Sequence, residues 1–283
     1  MSAPELPQVV LGDRVYRLER GWGRLPAALA YTLVSQVAVD SAGRVHVFQR
    51  GTPPVLWFAP DGSFGGHHGT GVVHDAHGIY CSPDDRLFLV DRDAHQVIVT
   101  DPAGRELTRL GERHRPRQGM PFNHPTDACV AGDGEIYVSD GYGNAQVHRF
   151  SAEGRHLTSW GSLGGGPGQF ITPHAIWVDR QDRVLVADRE NDRVQLFTRD
   201  GQHLADWRGL FHPMDIWEDA EGLIYVTDQV PSLSLFSPQG ERLGRCRPAL
   251  NGAHGIFGAA DGTIYLAEMN PSCITRLVPR PRA

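Results

Sequence analysis

The sequence uses one unit six times. Pro173-His174-Ala175-Ile176-Trp177-Val178-Asp179 runs into a turn at Gln181-Asp182 and then into Val184-Leu185-Val186-Ala187-Asp188. Arg193-Val194-Gln195-Leu196-Phe197 follows, then a turn at Asp200-Gly201, then His203-Leu204. Short apolar or alternating runs parted by turn residues read as strands, four to the unit. The unit recurs at Gln36, His77, Thr126, His174, Met214 and His254, spaced 41, 49, 48, 40 and 40 residues apart. A four-stranded unit at that period is a propeller blade, which can bury its faces only against its neighbours. The expected fold is therefore an all-β, six-bladed β-propeller. The sixth unit runs out near Pro279 before a fourth strand, while Tyr16-Arg17-Leu18-Glu19 before Gly21-Trp22-Gly23 matches the end of the third unit, Leu157-Thr158-Ser159-Trp160-Gly161. The N-terminal strand near residues 16–19 should complete the last blade, so residues 1–283 form a single propeller domain with blades starting near 36, 77, 126, 174, 214 and 254.

Composition agrees and removes several function classes. Thirty-three Gly and 20 Pro among 283 residues exclude a helical protein. All 27 basic residues are Arg, which excludes lysine Schiff-base chemistry and a P-loop. A net charge of −6 argues against a nucleic-acid surface. Cys81, Cys129, Cys246 and Cys273 have neither a disulfide-framework nor a metal-thiolate spacing. With no apolar run of membrane-spanning length and no secretory start at Met1-Ser2-Ala3-Pro4-Glu5-Leu6, the expectation is a cytoplasmic protein, a monomer, without nucleic-acid or membrane partners.

The chemistry concentrates at two repeat positions. The first strand of each blade lines the central channel, and one position on it is His77, His174 and His254 in alternate units, with Gln36, Thr126 and Met214 between. Alternate blades of a six-fold ring converge on the axis from three sides. Three imidazoles at one height form the ligand set of a catalytic zinc site with an open fourth position. The chain has 14 His, so a single one would mean little; strict alternation is the signal. The second position is the end of the second strand, occupied by Gln49, Asp91, Asp140, Asp188, Asp228 and Glu268. These read as structural caps of loop amides. The residue after the corner is Arg50, Arg92 or Arg189 in units one, two and four, where a guanidinium could clamp a carboxylate. Tyr142, two past the corner in unit three, could reach the same space as a base.

Phe150-Ser151-Ala152-Glu153-Gly154, Trp160-Gly161, Gly168-Gln169-Phe170 and Val186-Ala187-Asp188-Arg189-Glu190-Asn191-Asp192-Arg193-Val194-Gln195 resemble NHL repeats. Pro125-Thr126-Asp127, Ser139-Asp140-Gly141-Tyr142, Pro173-His174, Ala187-Asp188-Arg189-Glu190-Asn191 and His77-Gly78 resemble the peptidyl-α-hydroxyglycine α-amidating lyase (peptidylamidoglycolate lyase) family over essentially the whole chain. That resemblance implies zinc on His77, His174 and His254, although another divalent metal suits the same set. It implies Tyr142 as base and Arg50 and Arg189 as the arginines that shape the site, with no organic cofactor. The reaction implied is zinc-dependent cleavage of a small carboxylate, an amidoglycolate R-CO-NH-CH(OH)-COOH, to an amide and glyoxylate. The family's structural calcium would match the carbonyls of Val37 and Ile79, but its Asp after the third His is Gly255 here. The family's disulfide cysteines are also replaced, by Gly143, Leu185 and Leu196. Two other readings fit the same residues: a different metal-dependent hydrolase or lyase of a small hydroxy acid, and a non-catalytic NHL interaction module.

Overall fold

The computed structural model describes residues 7–281. Six antiparallel sheets stand around a central channel. Blade 1 comprises Val34–Val39, Val45–Gln49, Val55–Phe58 and Phe64–His68. Blade 2 comprises Ala76–Cys81, Leu87–Asp91, Gln96–Thr100 and Glu106–Gly111, and blade 3 Asp127–Val130, Ile136–Asp140, Gln146–Phe150 and His156–Trp160. Blade 4 comprises Pro173–Val178, Val184–Asp188, Arg193–Phe197 and His203–Trp207, and blade 5 Pro213–Glu218, Ile224–Asp228, Ser232–Phe236 and Arg242–Cys246. Blade 6 comprises Ala253–Gly258, Ile264–Met269, Ser272–Pro279 and the N-terminal Arg14–Arg20. No helix among the described residues is long and apolar enough to cross a membrane.

Leu18 pairs with Leu277 and Arg20 with Thr275, so the two ends of the chain share one sheet. Trp22, just past that strand, packs its ring 4.9 Å from Tyr265 of blade 6 and 5.8 Å from Phe58 of blade 1. Trp160 and Trp207 repeat this device, resting against Phe197 and Phe236 of the next blade at 6.0 and 5.4 Å. Among the elements not anticipated, Gln8–Leu11 adds a fifth strand to blade 6 across the Gly12-Asp13 turn, and Ser162–Leu163 pairs in parallel with Gln169–Phe170. The fifth strand lies so close to blade 5 that a Cβ on Gly244 would stand 2.2 Å from the Gly12 nitrogen, which is why residue 244 has no side chain.

The corner residues are caps, all six fully buried. Gln49 accepts from Thr32 N at 2.9 Å, Asp91 from Asp75 N at 2.8 Å and Asp140 from Asn123 N at 2.8 Å. Asp188 accepts from Ile171 N at 2.8 Å and Glu268 from Leu250 N at 2.9 Å, while Asp228 takes the backbone N–H of Phe211. Each ties the loop entering its blade to the second strand. The residues that follow these corners are thereby held at the channel mouth, and a buried N–H is satisfied in the process.

Candidate metal centre and active site

His77, His174 and His254 sit on the inner strands of blades 2, 4 and 6, where the strand register slips. Such a bulge re-aims a side chain out of the regular alternation. Nδ1 of each donates to a carbonyl of the next blade: His77 to Thr126 O at 2.6 Å, His174 to Met214 O at 2.7 Å and His254 to Ser35 O at 2.7 Å. A carbonyl can only accept, so Nδ1 holds the hydrogen and Nε2 the lone pair. The three potential ligand atoms lie within 4.8 Å of one another. The ring centroids are 4.8–5.0 Å apart.

All three rings are buried, and burial holds each in its neutral form. It pushes His254 down to about 3 and His77 and His174 well below the ordinary imidazole range, with neighbouring positive charge adding to the shift. Nε2 of His174 is buried with no hydrogen-bond partner. Three neutral nitrogen donors on one centre, one of them orphaned, fit a divalent ion that favours imidazole, with zinc foremost. The carbonyls behind the rings are the outer partners that fix ligand orientation at such centres.

Tyr142 crosses the mouth beside this ring. Its hydroxyl lies 3.1 Å from His77 Nε2 and accepts from Arg189 Nη1 at 3.0 Å. Two guanidiniums lie against its aromatic ring, that of Arg92 at 5.1 Å and that of Arg189 at 5.4 Å. Arg92 is braced by Asp75 and Asp93 at 2.9 and 2.8 Å, and Arg189 by Glu190 at 2.8 Å. Arg50 donates to Ala76 O at 3.3 Å and lies 3.8 Å from Asp75. Arg50, Arg189 and Arg92 all help to depress the basicity of His254, which places all three within electrostatic reach of the histidine ring. Every residue expected at the site from sequence is therefore in one place, and Arg92 joins Arg50 and Arg189 in it.

Sequence reasoning missed the layer directly beneath the histidines. Asp127, Asp215 and Gln36 are buried one residue past the channel position in blades 3, 5 and 1: Val34 pairs with the corner Gln49 as Pro173 pairs with Asp188, so Ser35, and not Gln36 as the sequence suggested, stands level with the histidines. Burial pushes Asp215 up to about 7 and Asp127 well above the carboxylate range, where the neighbouring Asp215 adds to the effect. Asp215 accepts from Gln36 Nε2 at 2.5 Å, Ile256 N at 2.6 Å and Ile216 N at 2.8 Å, and Asp127 accepts from Ile176 N at 3.2 Å. The signal was present in Asp127 and Asp215, each directly after a repeat position, Thr126 and Met214, that the sequence reading had singled out. Val37 and Ile79 are buried on the inner strands of blades 1 and 2. The space over Gly255 belongs to Gln36: a Cβ there would fall 1.8 Å from Gln36 Oε1. An amide therefore stands where the calcium pattern would require a carboxylate.

The NHL repeat family matches residues 122–150. The peptidylglycine alpha-amidating monooxygenase of Rattus norvegicus is 31% identical over 232 residues, which are 73% of this chain and 24% of that protein. The peptidyl-alpha-hydroxyglycine alpha-amidating lyase 1 of Drosophila melanogaster is 28% identical over 254 residues, 76% of this chain and 46% of that protein. NHL repeat-containing protein 3 of Homo sapiens is 31% identical over 245 residues, 81% of this chain and 66% of that protein. The chain thus spans less than half the length of the rat and fly proteins. Among solved structures, a gluconolactonase from Xanthomonas campestris superposes with a TM-score of 0.72 at 15% identity, covering 99% of both chains. A streptogramin B lyase superposes at 0.69 with 13% identity, covering 96% of this chain and all of that one. At such identities these structures establish the propeller fold and nothing about activity.

Proposed function

Taking the chain as an NHL-repeat homologue of the peptidyl-α-hydroxyglycine α-amidating lyases, we propose that it is a zinc-dependent carbon–nitrogen lyase that splits an amidoglycolate into an amide and glyoxylate. The observation that carries this reading is the meeting of three inward-facing imidazole lone pairs with Tyr142 and three guanidiniums at one mouth. His77, His174 and His254 would hold the metal, which when bound supplies Lewis acidity toward the carbinol oxygen. Arg189, Arg92 and Arg50 bind the carboxylate and orient the substrate. Tyr142 takes the carbinol proton as the C–N bond breaks, and the departing amide nitrogen receives a proton. One proton leaves oxygen and one reaches nitrogen, so the reaction needs neither water nor an electron acceptor. Arg189, already donating to the phenol oxygen, favours charge on that oxygen while the proton is in transit.

The four cysteines are free, in keeping with a reducing compartment, and we place the enzyme in the cytoplasm as a monomer acting on a small molecule. The test is glyoxylate release from N-acyl-α-hydroxyglycines by purified protein, with metal content measured on the same sample. Release that is lost on chelation and restored by zinc supports the reading. A zinc-loaded protein that releases no glyoxylate, or that hydrolyses lactones instead, overturns it.

A further inference from the structure

The residue after each second-strand corner occupies one repeat position around the channel mouth. In blades 1 to 6 it is Arg50, Arg92, Gly141, Arg189, Gln229 and Met269. The ring of corner residues is therefore cationic over blades 1, 2 and 4 and neutral over blades 5 and 6. The neutral half is not flat. A cavity of about 210 Å³ opens there against His254, lined by Met214, Gln229, Asn251, Met269 and Asn270. The one charged group in its wall, Asp228, is fully buried and committed to Arg245 at 2.8 Å and Ser232 at 2.7 Å. Gln229 is held in place by Met214 Sδ at 3.4 Å and the His212 ring at 3.2 Å, and Asn251 donates to Asn270 O at 2.7 Å. Gln229, Asn251 and Asn270 are all exposed to the opening.

A carbinolamide has two unlike ends: a carboxylate on the carbinol carbon and a substituent on the nitrogen. The three guanidiniums take the first. The second must then leave the histidine ring on the opposite side, over blades 5 and 6. We propose that this cavity is the subsite for the nitrogen substituent, and that it selects a short, uncharged acyl or carbamoyl group through amide hydrogen bonds from Gln229 and Asn251. The inference rests on the lyase reading of the same site and adds the substrate class. A cavity of this size is below the ~300–1,000 Å³ of sites for drug-sized ligands, which argues for a small substituent. A carboxylate there would lose hydration without gaining a counter-charge, and would compete for the arginine half in a reversed orientation.

The experiment compares kcat/KM for glyoxylate release from N-acetyl-, N-carbamoyl- and N-succinyl-α-hydroxyglycine, in the native protein and in Gln229→Arg. The substrates with an uncharged substituent should exceed the succinyl one by about tenfold, a factor equal to ~1.4 kcal/mol. Gln229→Arg extends the cationic half across blade 5 and should cut that preference roughly two- to fivefold, the worth of one exposed ion pair. Its melting temperature should not move, since residue 229 is at the surface. Equal kcat/KM for all three substrates, or a preference unmoved by Gln229→Arg, overturns the subsite while leaving the lyase reading intact. No glyoxylate from any of the three overturns the lyase reading, and the subsite with it.

Discussion

Replacing Gly255 by Ala tests how the channel beneath the histidines is packed. The new Cβ would stand 1.8 Å from Gln36 Oε1 and 2.5 Å from Gln36 Cδ, far inside contact distance. Gln36 must swing away, and in doing so it releases the Val37 N–H it accepts at 2.8 Å and the Asp215 carboxylate it donates to at 2.5 Å. Overpacking of a close-packed site costs about 1–3 kcal/mol. Losing a hydrogen bond to a charged group costs about 1.5–3 kcal/mol more. The expected loss is therefore about 3–5 kcal/mol. Gln36→Ala alone should cost about 2–3 kcal/mol, because it loses the hydrogen bonds without creating a clash. The double variant loses the side-chain clash but keeps the 2.8 Å approach of the new Cβ to the Gln36 Cα, so it should fall below Gln36→Ala only by what that backbone contact costs. The cycle thus closes with a coupling of about 2 kcal/mol or more, a large part of the cost of Gly255→Ala, where independent sites add to within ~0.5 kcal/mol. Denaturant unfolding of the four proteins measures it. Additive costs would show that Gln36 does not occupy the space over Gly255, and the account of why this chain lacks an acid at residue 255 would fall with it.

Tyr142→Phe should lower kcat by about 10²–10⁴, the usual range for a lost general base, with unchanged metal content by elemental analysis; near-native turnover would reduce Tyr142 to packing. His174→Ala removes a nitrogen from the centre and should weaken zinc binding by more than the ~10–100-fold typical of a lost outer-shell partner, measured by equilibrium dialysis on the folded variant. Asp215, raised from 3.8 to about 7, binds its proton more tightly folded than unfolded. Its contribution to stability is therefore complete below about pH 4 and lost as pH rises through about 7, a pH dependence that Asp215→Asn should reduce, while Asp127, raised in the same direction, keeps the remainder, in a series of melting curves. Deleting residues 1–20 strips the closing strand from blade 6, leaves Ser272–Pro279 as an open edge, and should produce aggregation visible by light scattering.

The blade plan was legible because each strand is short, bounded by turn residues and repeated in register. The same property made the histidine ring legible, since identical repeat positions stand at identical heights. The closing strand could be read from a shortage at one end and a matching surplus at the other. What stayed hidden were features without a repeat partner. Gln8–Leu11 forms a strand because Gly12-Asp13 turns it back onto Arg14–Arg20, and nothing in the six-fold pattern requires a fifth strand. The Asp127–Asp215 layer was hidden for a different reason. A carboxylate one residue past the channel position is indistinguishable in sequence from a solvated turn residue until the neighbouring blades bury it. Gly78 and Gly255 carried half of that information, since side-chain-free positions mark where Asp127 and Gln36 lean across to the next blade.

The channel combines a six-fold scaffold with three-fold chemistry. Three residues beyond His77, His174 and His254, on the same alternate blades, stand Tyr80, Trp177 and Phe257. Their ring centroids lie 5.8 to 6.2 Å apart in edge-to-face contact, a geometry aromatic quadrupoles favour. These rings floor the channel, and the two buried carboxylates and Gln36 lie between floor and histidines. Three aromatic rings in mutual contact cover this polar layer on one side, and Tyr142 and the arginines line the approach to the histidine nitrogens on the other. Burial from below also explains why imidazoles with an ordinary affinity for protons stay neutral here, with their lone pairs open to a metal. The floor and the centre therefore depend on each other: the same alternate strands that bring three histidines to the axis bring the aromatic rings that cover the layer beneath them.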